Sequence, residues 1–187
     1  MNGLAVDPTR VDWHGKDRWG RERRFKGSIR DGVLVLTPRV RDWRDFVVWA
    51  SGKSNYFISK LLNQLFNATS YSFPSTSYFA LWTATLSATS TGATAGEAAY
   101  TGYARVAMTD NATNFSTSSS GSSTTNNVAI TWGANSSGSE IETYIAILDS
   151  ATVGAGNILY WGSISSTTIA TGETPQINIS GLTVSEA

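Results

Sequence analysis

The second half of the chain alternates hydrophobic and polar positions in the manner of β-strands. Val128, Ile130 and Trp132 are separated by small or polar residues, and Ile177 and Ile179 repeat the pattern near the C-terminal end. Such alternation puts one set of side chains on one face of a pleated sheet. Six segments rich in Ile, Val, Tyr, Trp and Thr are accordingly predicted as strands: residues 77–86, 100–109, 126–134, 141–150, 157–165 and 177–184.

The segments between these strands have the composition of turns rather than helices. Gly, Asn, Ser and Pro cluster in "STGATAGEA", "NSSGSE", "VGAGN" and "ATGETP". Short strands at regular spacing, separated by such turns, are typical of antiparallel sandwiches and jelly rolls. Residues 68–187 are therefore predicted to form a jelly-roll-like β-sandwich domain. The Ser/Thr-rich stretch 116–127 is expected to be a surface loop or a long hairpin tip.

A helical pattern precedes the β region. In "SNYFISKLLNQLF" the apolar residues recur with the spacing of one helix face, and Ser54 or Asn55 can cap its start. The stripe has to be buried, either on the chain's own β domain or on a partner, and packing within the chain is the favoured alternative. The predicted helix covers residues 54–67, and its packing face consists of Phe57, Ile58, Leu61, Leu62 and Leu65.

Residues 1–53, the predicted arm, show neither the helical period nor the alternation of a strand clearly. Five glycines and one proline in the first 32 residues favour an extended arm over a packed unit. Within the arm, "GVLVLTP" at 32–38 indicates one short strand, and "RVRDWRDFVVWASG" at 39–52 has the spacing of a short helix. The predicted fold is thus mainly β: an antiparallel jelly-roll or β-sandwich domain preceded by an extended N-terminal arm and one or two short helices.

Charge divides the chain near the start of the β region. Residues 1–60 carry 13 Lys or Arg and 7 Asp or Glu, a formal charge of +6. Residues 61–187 carry one Arg and 7 acidic residues, a formal charge of −6, and 42 of these 127 residues are Ser or Thr. Opposite charges on two parts of one chain suggest that the parts face different partners.

The basic segment "WHGKDRWGRERRFKG", residues 13–27, interleaves aromatic residues with cations. Aromatic and Arg side chains anchor protein interfaces, because they fill pockets and form forked hydrogen bonds to carboxylates. A nucleic-acid arm is disfavoured because Asp12, Asp17 and Glu22 would repel phosphate, and a solvated tail conflicts with the many Trp. The predicted docking residues are Trp13, Arg18, Trp19, Arg21, Arg23, Arg24, Phe25 and Trp43.

The chain offers little for catalysis or cofactor binding. It has no Cys and a single His, so neither a thiolate metal site nor a His pair is possible. Arg105, the one cation after residue 61, is expected to form a structural ion pair with Glu97 or Asp149. Glu140 and Glu142 are expected to lie on the solvated face of a strand rather than to form a catalytic pair. No enzymatic activity, cofactor or metal is therefore expected.

A particular order of short motifs runs from about residue 60 to the C-terminal end. It consists of "YFALWTATL", "GEAAYTGYARVAMT", "NNVAITWGA", "IETYIAILDSATVGAGNILYWGSI" and "TGETPQINISGLTV". Their order and spacing resemble a family of tailed-phage virion surface proteins, which are described as capsid decoration (cement) proteins, head fibres or tail-fibre components. The resemblance implies a β-sandwich that assembles on the virion exterior, often as a trimer.

Together, the sequence and this resemblance predict a non-enzymatic virion structural protein. The first hypothesis is a capsid decoration subunit, a homotrimer anchored by its arm to the major capsid protein or another shell protein. The alternative is a tail-fibre or tail-adaptor subunit. The expected location is the virion exterior after assembly in the host bacterial cytoplasm. A membrane partner is not expected, because the longest apolar runs are five residues.

A carbohydrate-binding surface module is a second alternative for the same fold. Trp82, Trp132 or Trp161 would then be stacking platforms for sugar rings. Their alternation with small residues favours core positions instead.

Overall fold

The structure of the chain is a computed structural model, which describes some residues by their backbone alone and others with their side chains. Backbone strands are described at residues 10–16, 22–30, 33–37 and 48–50, and residues 52–117 and 123–185 are described with their side chains. The chain divides into two compact units, Met1–Asp42 and Trp43–Ala187.

The N-terminal unit contains a three-stranded antiparallel sheet. Its strands are β1 (Arg10–Lys16), β2 (Glu22–Arg30) and β3 (Val33–Thr37), in the order β1-β2-β3. The strand predicted over residues 32–38 is confirmed as β3. The sequence predicted an extended arm here and did not predict the strands β1 and β2, because a ladder is built from backbone groups and needs no alternating side chains.

Two further short strands precede the helix. They are β4 (Val48–Ala50) and β5 (Gly52–Lys53), and both pair with strands of the C-terminal unit. The short helix predicted over residues 39–52 is therefore wrong for β4, where a β-forming run pairs with a distant strand. Residues 38–47 lie outside the described residues.

The C-terminal unit contains one helix among its described residues, and strands before and after it form three sheets. Beyond β4 and β5, its elements are α1 (Asn55–Phe66), β6 (Thr76–Trp82), β7 (Val106–Thr109), β8 (Ser123–Thr125), β9 (Ile130–Thr131), β10 (Ser139–Leu148), β11 (Ile158–Ala170), β12 (Gln176–Ile177) and β13 (Leu182–Ser185). A five-stranded sheet has the order β5-β11-β10-β6-β7, a second has β4-β13-β8, and a third has β12-β9. All these strands pair antiparallel except β4 with β13, which are parallel.

The predicted antiparallel β fold with a short helix is confirmed, but several strands are shorter than predicted. Only Val106–Thr109 of the segment 100–109 is a strand, and the segment 177–184 is divided between β12 and β13. Within the Ser/Thr-rich stretch, Ser123–Thr125 forms β8 and Phe115 bridges to Asn126, which agrees with the predicted hairpin alternative. Residues 118–122 lie outside the described residues.

The adjoining parts of the central strands, residues 79–82 of β6 and 145–148 of β10, are buried on both faces. In β10, Ile145 and Ile147 belong to one core cluster, while Ala146 and Leu148 belong to a second cluster. The adjacent strand β6 is divided between the two clusters in the same way. A strand covered on both faces needs apolar residues at every position, which explains the continuous runs "YFALW" and "YIAIL".

The larger core cluster joins the five-stranded sheet to the two smaller sheets. A burial of this kind is the main source of stability for a β domain without disulfides. Its buried members are Phe79, Leu81, Ala98, Tyr100, Met108, Ile130, Trp132, Ile145, Ile147, Ile169, Ile177 and Leu182.

The buried side chain of Asn126 forms hydrogen bonds to backbone groups where the predicted strands are interrupted. The amide nitrogen of Asn126 donates to the carbonyl oxygens of Val128 at 2.8 Å and Asn178 at 2.7 Å. Its amide oxygen accepts from the backbone N–H of Leu182 at 2.8 Å. Asn126 is fully buried, so these three backbone groups have no access to water as an alternative partner.

Replacing Asn126 by alanine is expected to lower the free energy of unfolding by about 3 kcal/mol, because buried backbone groups lose their partners. The matched control is Asn127→Ala. Asn127 is exposed and its side chain donates one hydrogen bond, to the carbonyl of Ala112 at 3.2 Å, so we expect a change within about 0.5 kcal/mol. Urea unfolding of both variants measures the difference, and equal effects would contradict the role of Asn126.

Candidate functional site

Helix α1 begins at a serine that joins it to the sheet. The hydroxyl oxygen of Ser54 accepts a hydrogen bond from the backbone N–H of Phe57 at 3.1 Å, which caps the helix. The same hydroxyl donates to the carbonyl of Ile158 in β11, and the Ser54 N–H donates to the Leu159 carbonyl at 3.1 Å. The N-terminal end of the helix is thus attached to the five-stranded sheet.

An aromatic cluster holds the first turn of α1 against the β domain. Phe57 is buried, and its ring meets Tyr160 of β11 edge-to-face with ring centroids 5.2 Å apart. Tyr71 and Phe73, from the segment after the helix, complete the cluster around Phe57. Burial raises the pKa of Tyr71 to about 12, and the neighbouring Tyr56 adds to this shift.

The rest of the apolar stripe on α1 is exposed. Leu65 and Phe66 are 72% and 79% exposed, and Ile58 and Leu62 are also exposed, while Leu61 is half-buried. Every residue from 62 to 70 is exposed. The favoured expectation that the stripe packs within the chain is therefore wrong for all of it except Phe57 and, in part, Leu61.

This exposed surface is concentrated in one region of the domain. Eight large hydrophobic residues are exposed among those described, and five of them belong to α1 or to the segment just after it. We call these five the α1 apolar face: Ile58, Leu62, Leu65, Phe66 and Phe73. Contiguous exposed apolar surface of this kind marks interaction sites in folded proteins, whereas scattered single residues do not.

The spacing and charge of the α1 apolar face suit contact with another helix. Ile58, Leu62 and Leu65 are separated by four and then three residues, the repeat that keeps a seam facing a second helix. Lys60 is the one charged residue in the helix. A helix of only 12 residues with an exposed C-terminal half is marginal in water by itself.

A buried ion pair joins Arg105 to Glu97. The Arg105 Nε atom is 2.6 Å from Glu97 Oε1, and Nη2 is 2.7 Å from Glu97 Oε2. The two side chains are 0% and 6% exposed. The structural ion pair predicted for Arg105 is confirmed with Glu97 as the partner.

The Arg105–Glu97 pair also organises the loop between β10 and β11. The Arg105 Nη1 atom donates to the carbonyls of Ser150 at 2.8 Å and Ala155 at 2.9 Å. The Gly154 N–H donates to Glu97 Oε2 at 3.0 Å. These internal hydrogen bonds occupy both charged groups, so the pair serves the fold rather than a ligand.

The second pair of acids does not lie on a solvated strand face, contrary to the expectation. Glu142 is 1% exposed. Glu140 is half-buried, and its Oε2 accepts hydrogen bonds from the backbone N–H groups of Ala99 and Tyr100 at 2.9 and 3.0 Å. The face is covered because other segments of the unit pack over β10, which no local pattern in the sequence reveals.

Two of the three tryptophans considered as sugar platforms are core residues. Trp82 and Trp132 are buried, as their alternation with small residues indicated. Their indole N–H groups donate to the backbone carbonyls of Thr94 and Phe79, both at 3.2 Å. Because both rings are buried, neither Trp82 nor Trp132 offers a ring face to a ligand. The third, Trp161, is half-buried beside Tyr144.

The predicted docking residues of the N-terminal region are placed only in part. Trp13 lies in β1, and Arg23, Arg24 and Phe25 lie in β2, where the strand register pairs Trp13 with Phe25. Their docking role stays a prediction. The docking residues that lie outside the described residues are Arg18, Trp19, Arg21 and Trp43.

Among the described residues, these features define a β-rich protein with an open α1 apolar face and with the buried Arg105–Glu97 pair committed to the fold. Among residues 52–117 and 123–185, no three His, Asp or Glu side chains are close enough to share a metal ion. In the same part of the chain, no helix has the length and apolar character needed to cross a membrane.

Comparison with known families gives the class of protein. The family model described as "Podophage GP4 fiber I protein gp80" matches residues 52–185, more than two thirds of the chain. The chain therefore belongs to this family of phage fibre proteins and is a structural component of a phage. No curated protein matches the sequence significantly. The matched range contains α1 and every strand from β5 to β13.

Sequence reasoning missed part of the site. Phe73 lies outside the helix, and no periodic signal connects it to the stripe on α1. The burial of Glu142 was also missed, because a strand residue two positions from another acid normally faces solvent. One signal in the sequence could have indicated the open face. The 12-residue helix has five or more large apolar residues and one charge, which is more apolar surface than a single packing face needs.

Proposed function

We propose that this protein is a non-enzymatic fibre subunit of the phage virion, which associates with copies of itself through the α1 apolar face. The family match supports the fibre class, and the exposed apolar face is the observation that supports self-association. The proposal follows the alternative hypothesis from the sequence, a tail-fibre or tail-adaptor subunit, and not the first hypothesis, a capsid decoration subunit.

The partner proposed for the α1 apolar face is α1 of further copies. The helix carries no acidic residue, and Lys60 is its single cation, so identical helices can approach without strong repulsion. The Ile58, Leu62 and Leu65 spacing matches the seam that identical helices form around a common axis. A homotrimer has such an axis, and three copies of the helix would remove the exposed leucines from water.

The N-terminal region is proposed to attach the fibre to another virion protein. The support is its charge of +6 over residues 1–60, against −6 in the rest of the chain. Residues 1–51 also lie outside the range matched by the fibre family, as expected for a part that adapts one virion to its own fibre. The partner is an acidic shell or tail protein, which the Arg residues can bind through forked hydrogen bonds.

Quantitative mass spectrometry of purified particles tests the location. A fibre subunit is expected at a copy number far below that of the major shell protein and divisible by three. A copy number close to that of the major shell protein would replace the fibre proposal by capsid decoration. Absence from purified particles would contradict both.

Particles carrying the chain without residues 1–32 test the attachment. We expect this variant to be lost from the particle while it still forms trimers, because the α1 apolar face is intact. The substitution pair Leu62→Ser and Leu65→Ser in the otherwise complete chain is the matched comparison, since it leaves the N-terminal region unchanged. Full occupancy of the shortened chain would show that attachment lies elsewhere.

A further inference from the structure

A small, partly open cavity lies in the C-terminal unit between β10, β11 and β12. Its volume is about 20 Å³, enough for a single water molecule. The lining is mostly apolar and includes Leu81, Trp132 and Ile164. Glu142 is the one ionisable residue that lines it.

An irregularity in the β10–β11 ladder accompanies the cavity. Glu142 pairs with Thr167, but the next pair along the ladder joins Tyr144 to Ser163. One residue of β10, Thr143, therefore lies opposite three residues of β11, Ile164 to Ser166. Ile164 and Thr167 both line the cavity, so the bulge forms part of its wall. Bulges are found next to functional sites because they redirect a side chain.

No donor among the described residues hydrogen-bonds to the carboxyl oxygens of Glu142. Both oxygens are buried, and the residue is 1% exposed. An ionised carboxylate in this position would lose its hydration without compensation, which is far more costly than burying the neutral acid. The group can avoid this cost by keeping its proton.

The groups that face Glu142 do not stabilise a negative charge. Glu140 is on the same strand, and both its charge and a hydrogen bond between the two carboxyl groups favour the protonated form of Glu142. Tyr100, in the segment before β7, is near both acids. Burial raises the pKa of Tyr100, and the charges of Glu142 and Glu140 add to that effect. The cavity residues from β11 and β12 include Thr167 and Gln176 but no Lys, Arg or His.

We propose that Glu142 is a buried proton-binding site whose neutral carboxyl group keeps the β10–β11 bulge closed, and that loss of the proton loosens the domain. The proton is the ligand that the site takes. Ionisation requires water to reach the carboxylate, and the cavity beside the bulge has room for one water molecule.

The proposal sets a direction for the pH dependence. Burial raises the pKa of Glu142 from 4.5 to about 8, and the charge of Glu140 adds to the shift. Below pH 4.5 the group is protonated in both the folded and unfolded states, and its contribution is complete. Between pH 4.5 and 8 only the unfolded state ionises, so the unfolding equilibrium constant rises by about tenfold per pH unit. Above pH 8 the loss is complete.

Carbon-13 NMR of the full chain with labelled Glu tests the site directly. We expect one side-chain carboxyl resonance to titrate near pH 8 and to be absent in Glu142→Gln. The Gln side chain keeps the shape and neutrality of the protonated acid. Titration of every Glu carboxyl in the ordinary acidic range would overturn the proposal, whether or not the variant folds.

Unfolding curves from pH 5 to pH 9 test the consequence. The Glu142→Gln variant is expected to lack the Glu142 part of the alkaline loss, so that the two stability curves diverge as pH rises and become parallel above pH 8. Asp110, whose pKa is also raised by burial, is common to both proteins and cancels in the difference. Parallel curves over the whole range would contradict the proposal.

The variant Glu140→Gln tests whether the charge of Glu140 contributes to keeping Glu142 protonated. Removal of the Glu140 charge is expected to shift the Glu142 titration to lower pH, since that charge disfavours ionisation of its neighbour. An unchanged titration would show that the two carboxyl groups do not interact and would overturn this part of the proposal.

Discussion

Replacing Arg105 by methionine is expected to lower the free energy of unfolding by about 3 to 5 kcal/mol, because it leaves the Glu97 carboxylate buried without its partner. Methionine keeps much of the side-chain volume, so the loss reports the charge rather than a cavity. The carbonyls of Ser150 and Ala155 would also lose their donor. Denaturant unfolding of the full chain measures the change.

The double variant Arg105→Met with Glu97→Leu is the control. Removing both charges takes away the uncompensated carboxylate, so the double variant is expected to be more stable than Arg105→Met alone. Lys60→Met, which removes a charge from the helix surface, should change stability by no more than about 0.5 kcal/mol. A loss in Arg105→Met no greater than in Lys60→Met would contradict the structural role of the pair.

If copies associate through the α1 apolar face as proposed, the combined substitution Leu62→Ser and Leu65→Ser is expected to convert the proposed trimer into monomers at concentrations where the unaltered protein is assembled. Each copy would lose two large apolar residues from the proposed interface, and burial of one Leu contributes about 1.5 to 3 kcal/mol. Since both residues are exposed in the single chain, the fold of each monomer should persist. Sedimentation equilibrium measures the mass, and circular dichroism checks the fold.

Two other variants separate assembly from folding. Gln64→Ala changes an exposed residue of α1 outside the seam and is expected to leave the trimer intact. Phe57→Ala removes a buried ring from the aromatic cluster and should destabilise the monomer by about 3 to 5 kcal/mol. If the double Ser variant stays trimeric, the α1 apolar face is not the contact between copies.

The helix shows how far a local pattern can lead. The spacing of apolar residues in "SNYFISKLLNQLF" predicted the helix, and Ser54 was one of two predicted caps. The same pattern could not say what covers the stripe, because periodicity reports which residues share a face and not what lies opposite. The structure buries Phe57 and leaves Leu62 and Leu65 exposed.

The strands show the same division between local and distant causes. The central strands β6 and β10 were predictable, since continuous apolar runs have few alternatives in a chain of this composition. The segment around Asn126 was predicted as the start of a strand, whereas its side chain hydrogen-bonds to residues more than 50 positions away. Such contacts leave no periodic trace in the sequence.

The sequence by itself determined the β class, the position of the helix, the charge division and a structural ion pair of Arg105 with Glu97 or Asp149, because each depends on residue type or short-range spacing. Only the tertiary structure decided that Glu142 is buried beside a cavity and that the α1 apolar face is open. Both depend on which distant segments cover a given surface. Burial is a property of the packed chain, and it determines whether the same leucine or glutamate is a core residue, a contact or a proton site.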